Sequence, residues 1–361
     1  MAFPSLLRRF AVASVVAVAT LAGSLAIPHD PYIRWQDMRS EAWARLGWIY
    51  ERIHFDETPI DIAFIGTSHT MNGVDGAAVR AALAAASGAC RYVTNFAFPS
   101  YGRNMHWLIA RELLENRKVG TLVLEVFENE SRKAHPFFST VAEVSDVLQA
   151  PLLINLNYFS DIAQLPARQV MLGLKTLMPE RFGLHRRFDP AHYDGEDVDN
   201  TRQVQVGGVA LTPPRDRVLP PERLERAAER ARAAKNGNML GSHLQALEYR
   251  YPRHYLDRIL ALAAERGVAV KFLYLPSYAY VGSQPRDPSL YAGHGEMLST
   301  GTLLADTGLW YDPDHLNAQG AALLSTQLGK LLAGAAGDAA PAGQSIPCSR
   351  SLPDVMASRT H

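Results

Sequence analysis

The sequence predicts an α/β fold, a three-layer α/β/α arrangement around a doubly wound parallel sheet. Two observations carry this. Short apolar runs recur at Ile60–Ile65, Tyr92–Ala97 and Val119–Phe127, the first with the continuous hydrophobicity of a strand covered on both faces. They alternate with segments of helical character at a spacing that suits right-handed parallel crossovers.

Taken in order, the chain begins with Arg8 and Arg9 ahead of an uncharged run from Phe10 to Ile27. That run is about long enough for an export signal or an uncleaved membrane anchor, with Ser24-Leu25-Ala26 in the small-x-small form of a cleavage site. The run is longer than most signal cores, which favours the anchor over residues 1–30. In either case the arginines stay inside and the body crosses to the periplasm or another extracytoplasmic space. Pro31 to Phe55 reads as an amphipathic linker helix within 31–59, its Trp35, Trp43 and Trp48 suited to a membrane interface or to packing on the domain.

The main domain is expected over 60–333. Its first half contains the strand Ile60–Ile65, the alanine-rich helix Val74–Ala86 ending near Gly88, the strand Tyr92–Ala97, the helix Asn104–Asn116 and the strand Val119–Phe127. The rhythm then breaks over about 131–250, an insertion with helical segments at Leu152–Leu165, Gln169–Met178 and Glu222–Lys235, long enough to act as a lid. It resumes with a helix marked by Leu256, Ile259, Leu260 and Ala263, the strand Val268–Leu275, and a last helix carrying Leu324, Leu328, Leu331 and Leu332. The Ala-, Gly- and Pro-rich stretch 334–361 reads as a disordered tail.

The 361 residues are enough for one large domain or two small ones, and 36 basic residues balance 36 acidic ones. No long-range field attracts nucleic acid, and that partner is set aside. The two cysteines, Cys90 and Cys348, have no metal-like spacing, and whether they pair is left open. The twelve histidines show no H-E-x-x-H or comparable cluster, so no metal or other cofactor is indicated.

Chemistry-bearing residues gather where strands should end. The first strand runs into Gly66-Thr67-Ser68-His69, which delivers a serine to the carboxyl edge of the sheet. Alone, this is equally a polar turn whose Thr67 or Ser68 caps backbone groups. A remote stretch, Tyr311-Asp312-Pro313-Asp314-His315-Leu316-Asn317, offers an acid and a base ahead of the last helix, as well as an ordinary helix cap. Asp312, three residues before His315, can hold its imidazole; Asp314 is the rival. Oxyanion donors are the Ser68 N–H, a backbone N–H from Ser100 or Gly102, and the Asn129 side chain. His69 is a possible substrate contact, or a turn histidine bonded to a carboxylate. Glu125 and Glu128 are further carboxylates at this edge, either of which could simply pair with an arginine.

This set resembles the SGNH, or GDSL-like, hydrolase superfamily. Gly66-x-Ser68 matches its nucleophile block, Asn129 the asparagine of its third block, and Asp312-x-x-His315 its closing D-x-x-H, over residues 60–130 and 255–333. Phe127 and Glu130 depart from the third block's glycine and aspartate, and the glycine block is ambiguous between Ser100 and Gly102. The resemblance implies an SGNH-like, flavodoxin-like sheet with Ser68, Asp312 and His315 catalytic. It further implies an esterase or O-acetyltransferase acting on acylated cell-envelope carbohydrate, since Ser68-His69 is similar to exported members that work on surface polysaccharides. Some of those act beside a membrane-bound O-acyltransferase, an implied partner here. The altered third block also suits a second reading, a non-catalytic assembly protein of an envelope polysaccharide machine that keeps the fold.

Overall fold

The computed structural model describes residues 3–37, 41–126, 134–194, 197–234, 240–285 and 287–335. Helices α1 (Phe3–Ser24), α2 (Pro31–Gln36) and α3 (Glu41–His54) precede the first strand, β1 (Ile62–Ile65). Then follow α4 (Ser68–Gly73), α5 (Gly76–Ser87), β2 (Val93–Asn95), α6 (Arg103–Asn116) and β3 (Thr121–Val126). The insertion contributes α7 (Phe138–Val141), α8 (Val144–Leu148), α9 (Tyr158–Leu177), the two-residue strands β4 (Tyr193–Asp194), β5 (Gln205–Val206) and β6 (Val209–Ala210), then α10 (Pro221–Ala233) and α11 (Gln245–Glu248). The last section holds α12 (Arg250–Glu265), β7 (Ala269–Tyr274), β8 (Glu296–Ser299) and α13 (Ala318–Ala335).

The protein is α/β. Its five-stranded sheet has the order β2-β1-β3-β7-β8 with every neighbouring pair parallel. Ile62 registers with Val93 on one side and Thr121 on the other. From β1 the chain steps to β2 on one side and then crosses back over β1 to β3 on the other, so the order reverses between β1 and β3. Their carboxyl ends border the crevice in which open α/β sheets bind ligands.

Residue alternation along β1 shows that both faces are covered. Ile62 and Phe64 join a core with Val79 and Leu83 of α5 and Leu324, Leu328 and Leu332 of α13. Ala63 and Ile65 join the opposite core with Leu108 and Ile109 of α6 and Leu256 and Ile259 of α12. Local chemistry sets the helix ends. Asp75 accepts from the N–H groups of Ala77 and Ala78 at the start of α5, and Gly88 closes it at φ 69°.

Three segments differ from expectation. The single linker helix over 31–55 is two helices, and Trp35, Leu46, Trp48 and Ile49 are buried in the domain core, away from any interface with lipid; the Trp43 side chain lies outside the described residues. Arg52 of α3, fully buried, makes two bonds of 2.9 and 3.0 Å to Asp199 of the insertion. The two helices expected at 152–165 and 169–178 are one, α9, with Pro166 inside it.

At the N-terminus, the apolar run is helical only to Ser24. Leu25 packs on the core, and a Cβ at Gly173 of α9 would meet Ile27 Cγ2 at 2.7 Å. The helical part of the run, Phe10 to Ser24, is roughly 22 Å long at the α-helical rise, against about 30 Å of bilayer hydrocarbon. Among the described residues no helix is long and apolar enough to cross a membrane. Cys90 is disulfide-bonded. The only other cysteine in the sequence is Cys348, which lies with the expected tail outside the described residues.

Candidate active site

A buried carboxyl group organises the turn after β1. Glu125, on β3 and 1% exposed, accepts from the Thr67 N–H at 2.7 Å and the Thr67 hydroxyl at 2.8 Å, and also from the Thr70 hydroxyl. No arginine side chain is its partner in these bonds; Arg103 instead donates to the Glu125 backbone carbonyl at 2.9 Å. Gly66 is required here by close approach, because a Cβ would run into Glu125 Oε2 and Thr70 Oγ1. Thr67 then caps α4, its hydroxyl accepting from the His69 N–H at 3.2 Å. Ser68 emerges as the first residue of α4, only partly buried.

The remote histidine meets it. Ser68 Oγ lies 2.8 Å from His315 Nε2, and His315 Nδ1 lies 2.9 Å from both carboxylate oxygens of Asp312. A carboxylate can only accept, so Nδ1 carries the proton and Nε2 faces the serine as an acceptor. Asp312 also accepts the N–H groups of Asp314 and His315, each at 2.9 Å. Burial works to raise its pKa, but the bond from His315 and these two N–H bonds hold it down at about 2. Asp314 uses its backbone to support Asp312 and is itself exposed.

The insertion reaches this centre. Arg215 lies 3.5 Å from Asp312 Oδ2 and donates to Asn72 Oδ1 at 2.8 Å, while Asn72 Nδ2 donates to the Ser68 carbonyl at 2.6 Å. The Arg215 and Arg217 guanidinium groups each sit 4.7 Å from the Tyr311 ring centre. Arg215 and Asn72 escaped sequence reasoning. An arginine in a polar, proline-bearing stretch gives no local signal, and its role follows from the meeting of segments 97 residues apart.

His69 is buried. Its Nδ1 donates to the Leu275 carbonyl at 3.3 Å, so its Nε2 accepts from the Tyr101 hydroxyl at 3.4 Å. No carboxylate is among these partners. Its ring stands edge-on to His315, centres 5.4 Å apart.

The loop after β2 carries Ser100 and Gly102. Ser100 holds a left-handed backbone, φ 77°. Gly102 caps α6, where a Cβ would meet His135 Cβ and Asn104 Oδ1. Asn129 and Glu128 lie outside the described residues. Among the described residues no group of three or more His, Cys, Asp or Glu side chains is arranged to hold a metal.

Chemically, this is an alcohol bonded to an imidazole that is oriented by an ionised carboxylate, at the crevice of a parallel sheet. That is the arrangement of a serine nucleophile with its base. No family model matches the sequence, and no curated protein matches it.

Proposed function

We propose that the chain is an exported SGNH-type serine enzyme, an O-acyl esterase or O-acyltransferase that acts on acylated cell-envelope carbohydrate through an acyl-enzyme on Ser68. The observation that carries this reading is the continuous line of bonds from Ser68 Oγ through His315 to Asp312. The fold of the proposal is the three-layer, doubly wound one of that superfamily, and the strand order and two covered faces support it.

In the reaction, Ser68 Oγ attacks the ester carbonyl carbon while its proton passes to His315 Nε2. The resulting imidazolium is stabilised by Asp312, which stays ionised. The oxyanion is met by the Ser68 N–H, a donor from the Ser100–Gly102 loop and Asn129. Collapse breaks the bond to the alkoxy group, which leaves with the proton from His315 and gives the acyl-enzyme. Water or a sugar hydroxyl, deprotonated by His315, then takes the acyl group and restores Ser68. Partial exposure of Ser68 leaves room for either acceptor.

Export and attachment through the N-terminal segment belong to the same proposal. The bonded Cys90 supports an oxidising compartment. A membrane-bound O-acyltransferase is the proposed source of the acyl group. A fluorophosphonate probe tests the reading. Labelling of the wild-type protein that disappears in Ser68→Ala is expected; equal labelling of both would remove Ser68 from the mechanism, and the non-catalytic assembly role would stand if neither protein reacts.

A further inference from the structure

Helix α9 buries Leu165 and Leu172 yet is apolar on its outer side as well. Its three charged residues all face the protein: Asp161 is buried, Arg168 donates to the carbonyls of Ser139 and Ala142, and Lys175 pairs with Asp37. The opposite side presents Phe159, Val170, Met171, Leu174 and Leu177, between 41 and 76% exposed and carrying no charge. Their separations of three, four, seven and eleven residues keep them on one face. Leu156, 56% exposed, leads into it.

Helix α1 lies against α9 and extends this surface. Every residue from Phe10 to Gly23 is exposed, and no charge occurs from Phe10 to Ile27. Between α9 and the segment that follows α1 runs a mostly apolar groove of about 640 Å³, lined by Ile27, Pro28, His29 and Asp30 on one side and by Val170, Leu174 and Leu177 on the other. A partner protein covers a stripe of a helix. It does not cover α1 all round together with the outer face of α9, whereas hydrocarbon does both. The border is cationic in balance, with Arg8 and Arg9 ahead of the apolar run and, just beyond α9, the exposed Arg181, Arg186 and Arg187 against the exposed Glu180, which pairs with Arg186.

We infer that the outer face of α9 lies in the surface of an anionic bilayer, its apolar side chains among the upper acyl chains and the bordering arginines at the headgroups. This is a lipid contact of the insertion itself, additional to any insertion of α1, and it does not depend on the chemistry of Ser68. It would hold the insertion against the membrane along about 30 Å, the length of a twenty-residue helix.

Spin labels on the full chain test it, one each at Val170→Cys, Leu174→Cys and Lys330→Cys, the last exposed on α13 across the sheet. On vesicles of phosphatidylcholine with phosphatidylglycerol, the ratio of collisions with oxygen to collisions with a water-soluble nickel complex should rise several-fold at 170 and 174 and stay unchanged at 330. On phosphatidylcholine alone, or after Arg181→Glu with Arg187→Glu, the rise should shrink. Labels at 170 and 174 that remain as open to nickel as the label at 330, on protein bound to the vesicles, would overturn the inference. So would shielding of both labels before vesicles are added, together with a doubled mass in solution, which would assign the face to a second copy. A rise indifferent to phosphatidylglycerol and to the arginine changes would overturn the anionic assignment.

Discussion

Two acidic side chains border the same crevice, Glu125 at the end of β3 and Asp312 in the loop before α13, and their surroundings are opposite. Glu125 is buried and is met by two backbone N–H groups and two hydroxyls, all from the Gly66–Thr70 turn. Asp312 is partly open and, besides two N–H groups of its own loop, is met by an imidazole and an arginine. The first therefore fixes a backbone, whereas the second sets the state of a proton. The difference separates residues whose loss should unfold the turn from residues whose loss should stop the chemistry and leave the fold alone.

The largest effect expected from this contrast is on Asp312. Asp312→Asn keeps the shape of the loop but removes the charge that stabilises an imidazolium, and acyl-ester turnover should fall by about 10⁴-fold. Thermal melting at pH 7 should barely move. A mutant with normal turnover, or one that melts far below the wild type, would erase the contrast from this side.

Glu125→Gln tests the other side. An amide nitrogen in the place of one oxygen meets the donors of Thr67 or Thr70, and the turn should lose about 2–3 kcal/mol of stability, read from urea unfolding. Turnover should fall with it, because the serine's backbone is no longer held. Full stability with lost turnover would make Glu125 a chemical group after all.

A control far from the crevice sharpens the same distinction. Glu51 receives the hydroxyl groups of Tyr32 and Tyr193, and burial raises its pKa to about 7 against the effect of the Tyr32 bond. Between pH 4.5 and about 7 the unfolded chain gives up this proton while the folded chain keeps it, so stability should fall as pH rises through that window. The slope should flatten in Glu51→Gln, as melting temperature against pH will show.

The smallest effect is expected at Arg215. Its contact with Asp312 is 3.5 Å long and partly exposed, so Arg215→Ala should reduce kcat/KM by less than about tenfold, an ion-pair loss of ~1 kcal/mol. A larger loss confined to kcat would show that the insertion positions the base more firmly than this contact suggests.

Much of this arrangement was legible in the residues. The β1 strand is buried on both faces and apolar throughout, β3 is apolar but for Thr121 and Glu125, and Asp312-x-x-His315 is a local pair whose geometry follows from its spacing. What was illegible has physical causes. β8 is a four-residue edge strand, Glu296–Ser299, too short and too polar for an alternating pattern. Residues 152–165 and 169–178 read as separate helical segments, yet α9 runs on through Pro166 between them. Trp35 and Trp48 fit a membrane interface as well as a core, and only packing decides between them. The acceptor role of Glu125 depends on strands brought side by side, and the reach of Arg215 depends on how the insertion folds back. Neither leaves a trace in spacing.

Every role proposed for the crevice depends on the Ser68 oxygen taking up an acyl group. Incubation of the purified chain with an activated acetyl ester, followed by mass measurement of the peptide containing Ser68, reads this directly. One added acetyl group on that peptide, absent in Ser68→Ala and slow to form in His315→Ala, is the predicted result. An unmodified peptide while the ester is consumed at the wild-type rate would contradict it.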